Sequence, residues 1–294
     1  YFPDDVMAPW EGGSDYYSAW PYGPSADPNI FPIAVWLQST DNAVIYKEMG
    51  INHYIGLWQG PTEAQLTPLT ESAMPVICSQ NDVGLNSVNN GTIKSWMHQD
   101  EPDNAQSGTQ FPVSTEEVIS CYDAMVAQDS SRPVYLNLGQ GVASDAWYGR
   151  GDRTNHPEDY VQYALGADIL SFDIYPMNIF PRPESDPYWF TNHDNVLTQK
   201  IWYVAFGVDR LREWTDYQKP VWAWIECTNI NSNVNYALTP VHVKAEVWMA
   251  IIHGARGIGY FTHEFTSGGG YITDSGLLNN QAMKAAVGEI NAQI

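Results

Sequence analysis

The sequence predicts a single (β/α)8 barrel. Apolar β-type segments alternate with helical segments eight times along 294 residues, the rhythm of a parallel sheet with helical crossovers. No Gly-rich phosphate fingerprint follows the first strand, as a doubly wound dinucleotide-binding sheet would require. Two predicted strands stop on glutamates about 125 residues apart, Glu101 and Glu226, in the fourth and seventh places of the series. Chemistry in a barrel sits at the C-terminal ends of its strands.

The elements follow in order. Tyr1 to Ile30 is rich in Pro, Gly, Tyr and Trp and has no period. It reads as an irregular segment that lines a site or closes the bottom of the barrel. Strand one spans 31–37, and a short helix over 41–49 stops at Gly50, a natural C-cap. Strand two covers 51–58, a helix 62–70, strand three 75–78 and strand four 93–99. Ser114-Thr115-Glu116-Glu117 opens a helix running to about Gln128 with a good N-terminal signal. Strand five at 133–137, a helix at 157–165 and strand six at 168–175 come next. The long loop 176–193 breaks the rhythm before an amphipathic helix over 196–217. Strand seven at 220–225, a helix at 240–253, strand eight at 257–261 and a closing helix at 281–292 complete the set. No repeat, linker or low-complexity tract divides the chain, so 1–294 is expected to be one domain with long loops at its C-terminal face.

Composition narrows the partners. Hydrophobic residues make up 44% of the chain, an ordinary globular value, and no apolar run is long enough to span a bilayer. Lys and Arg number 13 against 34 Asp and Glu, a net charge of −21. Such a surface repels phosphate backbones, anionic lipid and polyanionic glycans, so neither a nucleic-acid nor a membrane partner is expected. Aromatics reach 13%, with 12 Trp and 18 Tyr; rings of this kind stack on the C–H faces of sugars. Cys78, Cys121 and Cys227 show no metal spacing, so no zinc or other cofactor is expected. The acidic, lysine-poor chain leans towards an extracellular setting.

The strand ends carry the functional signal. Strand one offers Trp36 and Gln38, strand two Trp58 and Gln59, strand three Gln80 and Asn81, and strand four His98, Asp100 and Glu101. Strand five offers Asn137 and Gln140, strand six Asp173 and Tyr175, strand seven Glu226 and Asn229, and strand eight His263 and Glu264. Amides, aromatics and carboxylates with almost no cations suit a neutral polyol. Paired carboxylates are what cleavage of a glycosidic bond needs: one protonates the leaving oxygen, the other attacks the sugar carbon or activates water. Substrate contacts are therefore expected from Asp100, Trp36, Gln38, Trp58, Gln80, Asn137, Asp173, Tyr175, His263 and Glu264. Trp36 and Trp58 are the stacking candidates, and Trp147, Tyr148 and Trp189 lie on loops that suit outer subsites. Asp173, buried by pattern, suits satisfaction of backbone donors somewhat better than sugar contact, and His98 reads as a core histidine.

The run Asp100-Glu101-Pro102 and the run Trp224-Ile225-Glu226 together resemble the glycoside hydrolases of clan A. Those are (β/α)8 barrels with an acid/base Glu in Asn-Glu-Pro after strand four and a nucleophilic Glu ending strand seven. The resemblance implies Glu101 as acid/base and Glu226 as nucleophile in a retaining cleavage of a β-linked oligo- or polysaccharide. The chain departs from the clan pattern in having Asp100 for the Asn, no strand-two Arg, and no Trp closing strand eight. Asp100 beside Glu101 would raise the pKa of the acid and favour a donor on the substrate. An inverting enzyme pairing Glu101 with another acid, such as Asp173 or Glu264, is the first alternative, and a non-catalytic carbohydrate-binding barrel the second. A metal-dependent hydrolase would need His-x-His on strand one, which is absent there.

Overall fold

The computed structural model describes residues 15–106, 108–179, 198–232 and 237–294. Eight parallel strands close into a barrel in sequence order. They are β1 (Ile33–Trp36), β2 (His53–Ile55), β3 (Val76–Cys78), β4 (Ile93–Met97), β5 (Val134–Leu138), β6 (Ile169–Asp173), β7 (Val221–Glu226) and β8 (Gly257–Phe261). Closure comes from β1 pairing with β8, with Val35 opposite Tyr260.

Alternation along β7 shows how the core divides. Trp222 and Trp224 join Ala34, Trp36, Ile55, Ile77, Met97, Tyr135 and Ile169 in one cluster inside the barrel. Val221, Ala223 and Ile225 belong to the larger cluster between barrel and helices. Both faces are buried, so the strand reads as a continuous apolar run. The indoles need space, and the facing strand supplies it: a Cβ on Gly259 would lie 2.4 Å from the Trp224 ring.

The helices are α1 (Ala43–Glu48), α2 (Glu63–Glu71), α3 (Asp82–Asn86), α4 (Thr115–Gln128), α5 (Asp159–Tyr163), α6 (Trp202–Trp214), α7 (Pro240–Ile252), α8 (Gly276–Asn279) and α9 (Gln281–Asn291). Their starts are encoded locally. Ser114 Oγ accepts from the Glu117 amide at 3.2 Å, with Glu116 and Glu117 in the first turn of α4. Thr62 and Gln65 form a capping box on α2. Gly50, just past α1, takes a positive φ of 81°.

Tyr16–Ala19 forms a short 3-10 turn under the barrel. Tyr17 is buried inside the barrel cluster, and Tyr16 donates to the Asp168 carbonyl at 2.8 Å, just before β6 begins. This part of the N-terminal segment closes the bottom; residues 1–14 and Trp189 lie outside the described residues. Strands one to four and six are shorter than predicted, strands five, seven and eight match in length, and Glu101 comes four residues after β4 ends. The described part of the 196–217 helix is shorter too, because Tyr217 and Asp216 have left-handed backbones beyond Trp214. A hairpin, β9 (Glu264–Phe265) with β10 (Tyr271–Thr273), follows β8 and was not anticipated from sequence. Among the described residues no helix is long and apolar enough to cross a membrane.

Candidate active site

A cleft of about 520 Å³ opens at the C-terminal mouth of the barrel. Trp36 and Leu37 after β1, Trp58 after β2, Asp100 and Glu101 after β4, Asp173 and Tyr175 from β6, and His263 after β8 line it. Three of the residues that turn the chain at this mouth have left-handed backbones: Leu37 (φ 47°), Gln59 (52°) and Glu101 (44°). None is glycine, so each conformation costs about 1–3 kcal/mol, a strain that clusters at functional sites.

Glu101 is braced from two sides. Asn104 Nδ2 donates to Glu101 Oε2 at 2.9 Å, and Trp147 Nε1 donates to Asn104 Oδ1 at 2.7 Å. The indole thereby fixes which way the amide points, and the amide fixes the carboxyl. Gly139 permits the arrangement, because a Cβ there would sit 2.8 Å from Asn104 Nδ2 and 3.0 Å from Glu101 Oε1. Beneath them Asp103 is fully buried, accepting from the Gly139 amide at 2.9 Å and the Tyr160 hydroxyl at 2.8 Å. It ties the loop after β4 to the loop after β5.

The facing group is Asp173. Its Oδ1 is buried without a protein donor, while its carboxyl contacts that of Glu101. Two carboxyls in contact cannot both ionise cheaply, so the pair favours a form in which one of them keeps its proton. Burial, then Asp173, holds Glu101 well above the ordinary carboxylate range. Burial first, then the neighbouring acids against hydrogen bonds, pushes Asp173 up to about 7.

Asp100 is open to solvent yet set in the concave mouth, where surrounding protein and then Glu101 push it up to about 7. Asn137 Nδ2 donates to Asp100 Oδ1 at 2.9 Å. Ser171 Oγ donates to Asn137 Oδ1 at 2.6 Å, and Tyr135 Oη donates to Ser171 Oγ at 2.5 Å. This chain through the barrel core orients the amide and, through it, Asp100.

Aromatic rings form the opposite wall. Trp58 is 51% exposed and lies over His263, with centroids 6.2 Å apart and planes 20° apart. His263 in turn lies 5.1 Å from Phe261, which lies 5.1 Å from Tyr175. Burial lowers the His263 pKa, which favours the neutral ring. An exposed indole held by a stack is a plate for a sugar face. Trp58→Ala is expected to raise KM about 2–10-fold with a smaller change in kcat, the range of one aromatic contact. Steady-state kinetics on a hydrolysed glycan would check it, and an unchanged KM would remove Trp58 from the site.

Other sequence-nominated residues stand behind or away from the cleft. Gln38 is buried and saturated: Tyr46 Oη donates to its Oε1 at 2.6 Å, and its Nε2 donates to Thr262 Oγ1 at 3.0 Å. Gln80 donates to the Met125 carbonyl at 3.1 Å and lines a neighbouring groove. Asn137 is buried and acts on Asp100. Glu264 lies in β9 against Gly276 and is not among the residues lining the cleft. His98 does border the cleft, but it is largely buried, 2.7 Å from the Gly166 carbonyl. Asn104 and Trp147 form a brace that sequence reading missed; the polar run Asp103-Asn104 straight after Glu101-Pro102 was its only local sign.

Glu226 is fully buried and does not line the cleft. The amides of Met177 and Asn178 donate to its two oxygens at 2.6 and 2.9 Å. Its carboxyl also contacts that of Glu246 on α7, whose two oxygens have no other protein partner. Burial pushes Glu226 up to about 7 and, with Glu226 beside it, Glu246 well above the carboxylate range. The folded pair therefore holds protons that the unfolded chain releases above about 4.5. Stability from this pair is full below that pH and is lost as pH rises through about 7. The melting temperature is expected to be higher at pH 5 than at pH 8. Glu246→Gln, which gives Glu226 a permanent donor, is expected to flatten the difference. Scanning calorimetry would check it, and a melting temperature that rises from pH 5 to 8 would contradict it.

Solved structures that superpose on this barrel include glycoside hydrolases. The β-D-glucuronidase of Dictyoglomus thermophilum superposes with a TM-score of 0.53 at 14% identity over 90% of this chain, which spans 50% of that one. The endo-β-1,4-mannanase of Thermotoga petrophila gives 0.58 at 12% identity, with 89% of this chain and 76% of that one covered. A β-galactosidase from Marinomonas ef1 gives 0.55 at 10% identity, covering 89% of this chain and 59% of that one. No protein-family profile and no curated protein sequence matches the chain. At these identities the likeness establishes the (β/α)8 barrel and selects no family and no substrate.

Proposed function

We propose that the protein is a glycosidase acting on a neutral, β-linked oligo- or polysaccharide, with Glu101 as the proton donor. The observation that carries this reading is the contact between Glu101 and Asp173 on the floor of an aromatic-walled cleft. A carboxyl kept protonated near neutral pH is what the leaving oxygen needs. No Lys or Arg lines the cleft among the described residues, so an anionic sugar would meet three acids and no cation. The β-linkage rests on the resemblance of the Asp100-Glu101-Pro102 run.

The second carboxylate in this reading is Asp100, which is exposed to the cleft and whose pKa is pushed up to about 7. The expected stereochemistry is inversion. A second reading is retention through Glu226. Its place at the end of β7 and the two backbone amides on its oxygens favour it, but it requires the 176–178 turn to release a sealed carboxyl. An extracellular setting is the one that the acidic, lysine-poor chain favours.

The test is a panel of β-glucans, mannan, xylan, galactan, chitin and chitosan, with reducing ends measured for wild type and Glu101→Gln. Release by the wild type that the variant loses is the expected result. Binding by calorimetry with no release on any member would replace the enzyme with a carbohydrate-binding barrel.

A further inference from the structure

A second concavity of about 450 Å³ lies beside the cleft, between the ends of β3 and β4 and the face of α4 that carries Cys121, Ala124 and Met125. Ser79, Met97, His98 and Gln99 line both spaces. Pro102, which follows Glu101 directly, lines the second. The groove thus begins one residue from the proposed proton donor and runs outward along the helix.

Its chemistry continues that of the cleft. Val113 and Met125 offer partly exposed apolar surface, Gln99 and Gln128 present exposed amides, and among the described residues Glu117 is the only Asp, Glu, Lys or Arg in the lining. Apolar surface with a few amides suits the C–H faces and hydroxyls of an uncharged sugar. We propose that this groove holds further units of the same glycan chain, so that the enzyme takes its polymer across the β3–β4 edge and binds long chains in preference to short ones. This rests on the glycosidase reading for its catalytic consequence, though not for its binding consequence.

Cys121 supplies the probe. It lines the groove and is exposed, whereas Cys78 and Cys227 are buried. A bulky maleimide on Cys121, or the substitution Ala124→Trp on the same helix, should fill the groove without touching the acids. The ratio of kcat/KM for the polymer to that for an aryl monoglycoside is then expected to fall by about tenfold or more, because remote binding energy is lost. In parallel, binding of glucan, mannan, xylan and galactan oligosaccharides of increasing length would be measured by calorimetry in Glu101→Gln and in the same variant with Ala124→Trp added. Affinity that grows with chain length in the first and falls by about tenfold or more for long chains in the second is expected. An unchanged ratio in both modified proteins would overturn the groove, as would long-chain affinity that Ala124→Trp leaves unchanged. If the unmodified protein cleaves nothing yet long chains bind and Ala124→Trp weakens them, the groove stands and the glycosidase reading falls.

Discussion

Glu101→Gln is expected to lower kcat by about 10²–10⁴-fold on glycosides with poor leaving groups, the range assigned to one general acid. The amide keeps the shape and can still accept a hydrogen bond, but it has no proton to give. The loss should shrink as the leaving group improves, because a nitrophenolate departs with little help. The pH profile carries the same logic. Glu101 keeps its proton past neutrality, and Asp100, at about 7, must lose its own. The rate should therefore rise towards an acidic-limb midpoint near 7 and fall on a basic limb above it, with apparent values belonging to the coupled acids. In Glu101→Gln the basic limb should vanish. Equal losses across all leaving groups would show that Glu101 only binds.

The second large effect separates the two carboxylates that could face the sugar carbon. Asp100→Asn is expected to lose about 10²–10⁴-fold in kcat as a missing base, while Glu226→Gln, buried beside Glu246, should stay within about tenfold of wild type. NMR of the first-formed product should show the inverted anomer. Inversion needs carboxyls about 6.5–9.5 Å apart and retention about 5–5.5 Å. A retained anomer, together with a loss of several orders of magnitude in Glu226→Gln, would transfer the role to Glu226 and require the Pro176–Asn178 turn to open during turnover.

The barrel was legible because its cause is local. Each strand is an apolar run flanked by turn or cap residues, and several crossover helices carry their own start signal, as Ser114, Thr62 and Thr239 do. The acids after β4 were legible for the same reason, being polar residues set straight after a buried strand. Partnership between strands was not. Whether Gln38 faces a sugar or Tyr46, and whether Glu226 faces the cleft or Glu246, depends on side-chain direction and on elements far away in the chain. Asp173 was read as either a backbone acceptor or a sugar contact, and its contact with Glu101 joins residues 72 positions apart. The Trp147–Asn104 brace likewise crosses from one loop to another.

The left-handed backbone at Glu101 also sets durability against turnover. Glycine would take that angle without strain, while leaving Asp173 and Asn104 without their Glu101 partner. With the strain relief the larger of the two, a glycine variant should outlast the parent on heating. A laboratory evolution scheme that rewards heat resistance and ignores product would drift towards glycine at this position and collect robust, inert barrels. Any campaign to harden this protein has to score catalysis in every round.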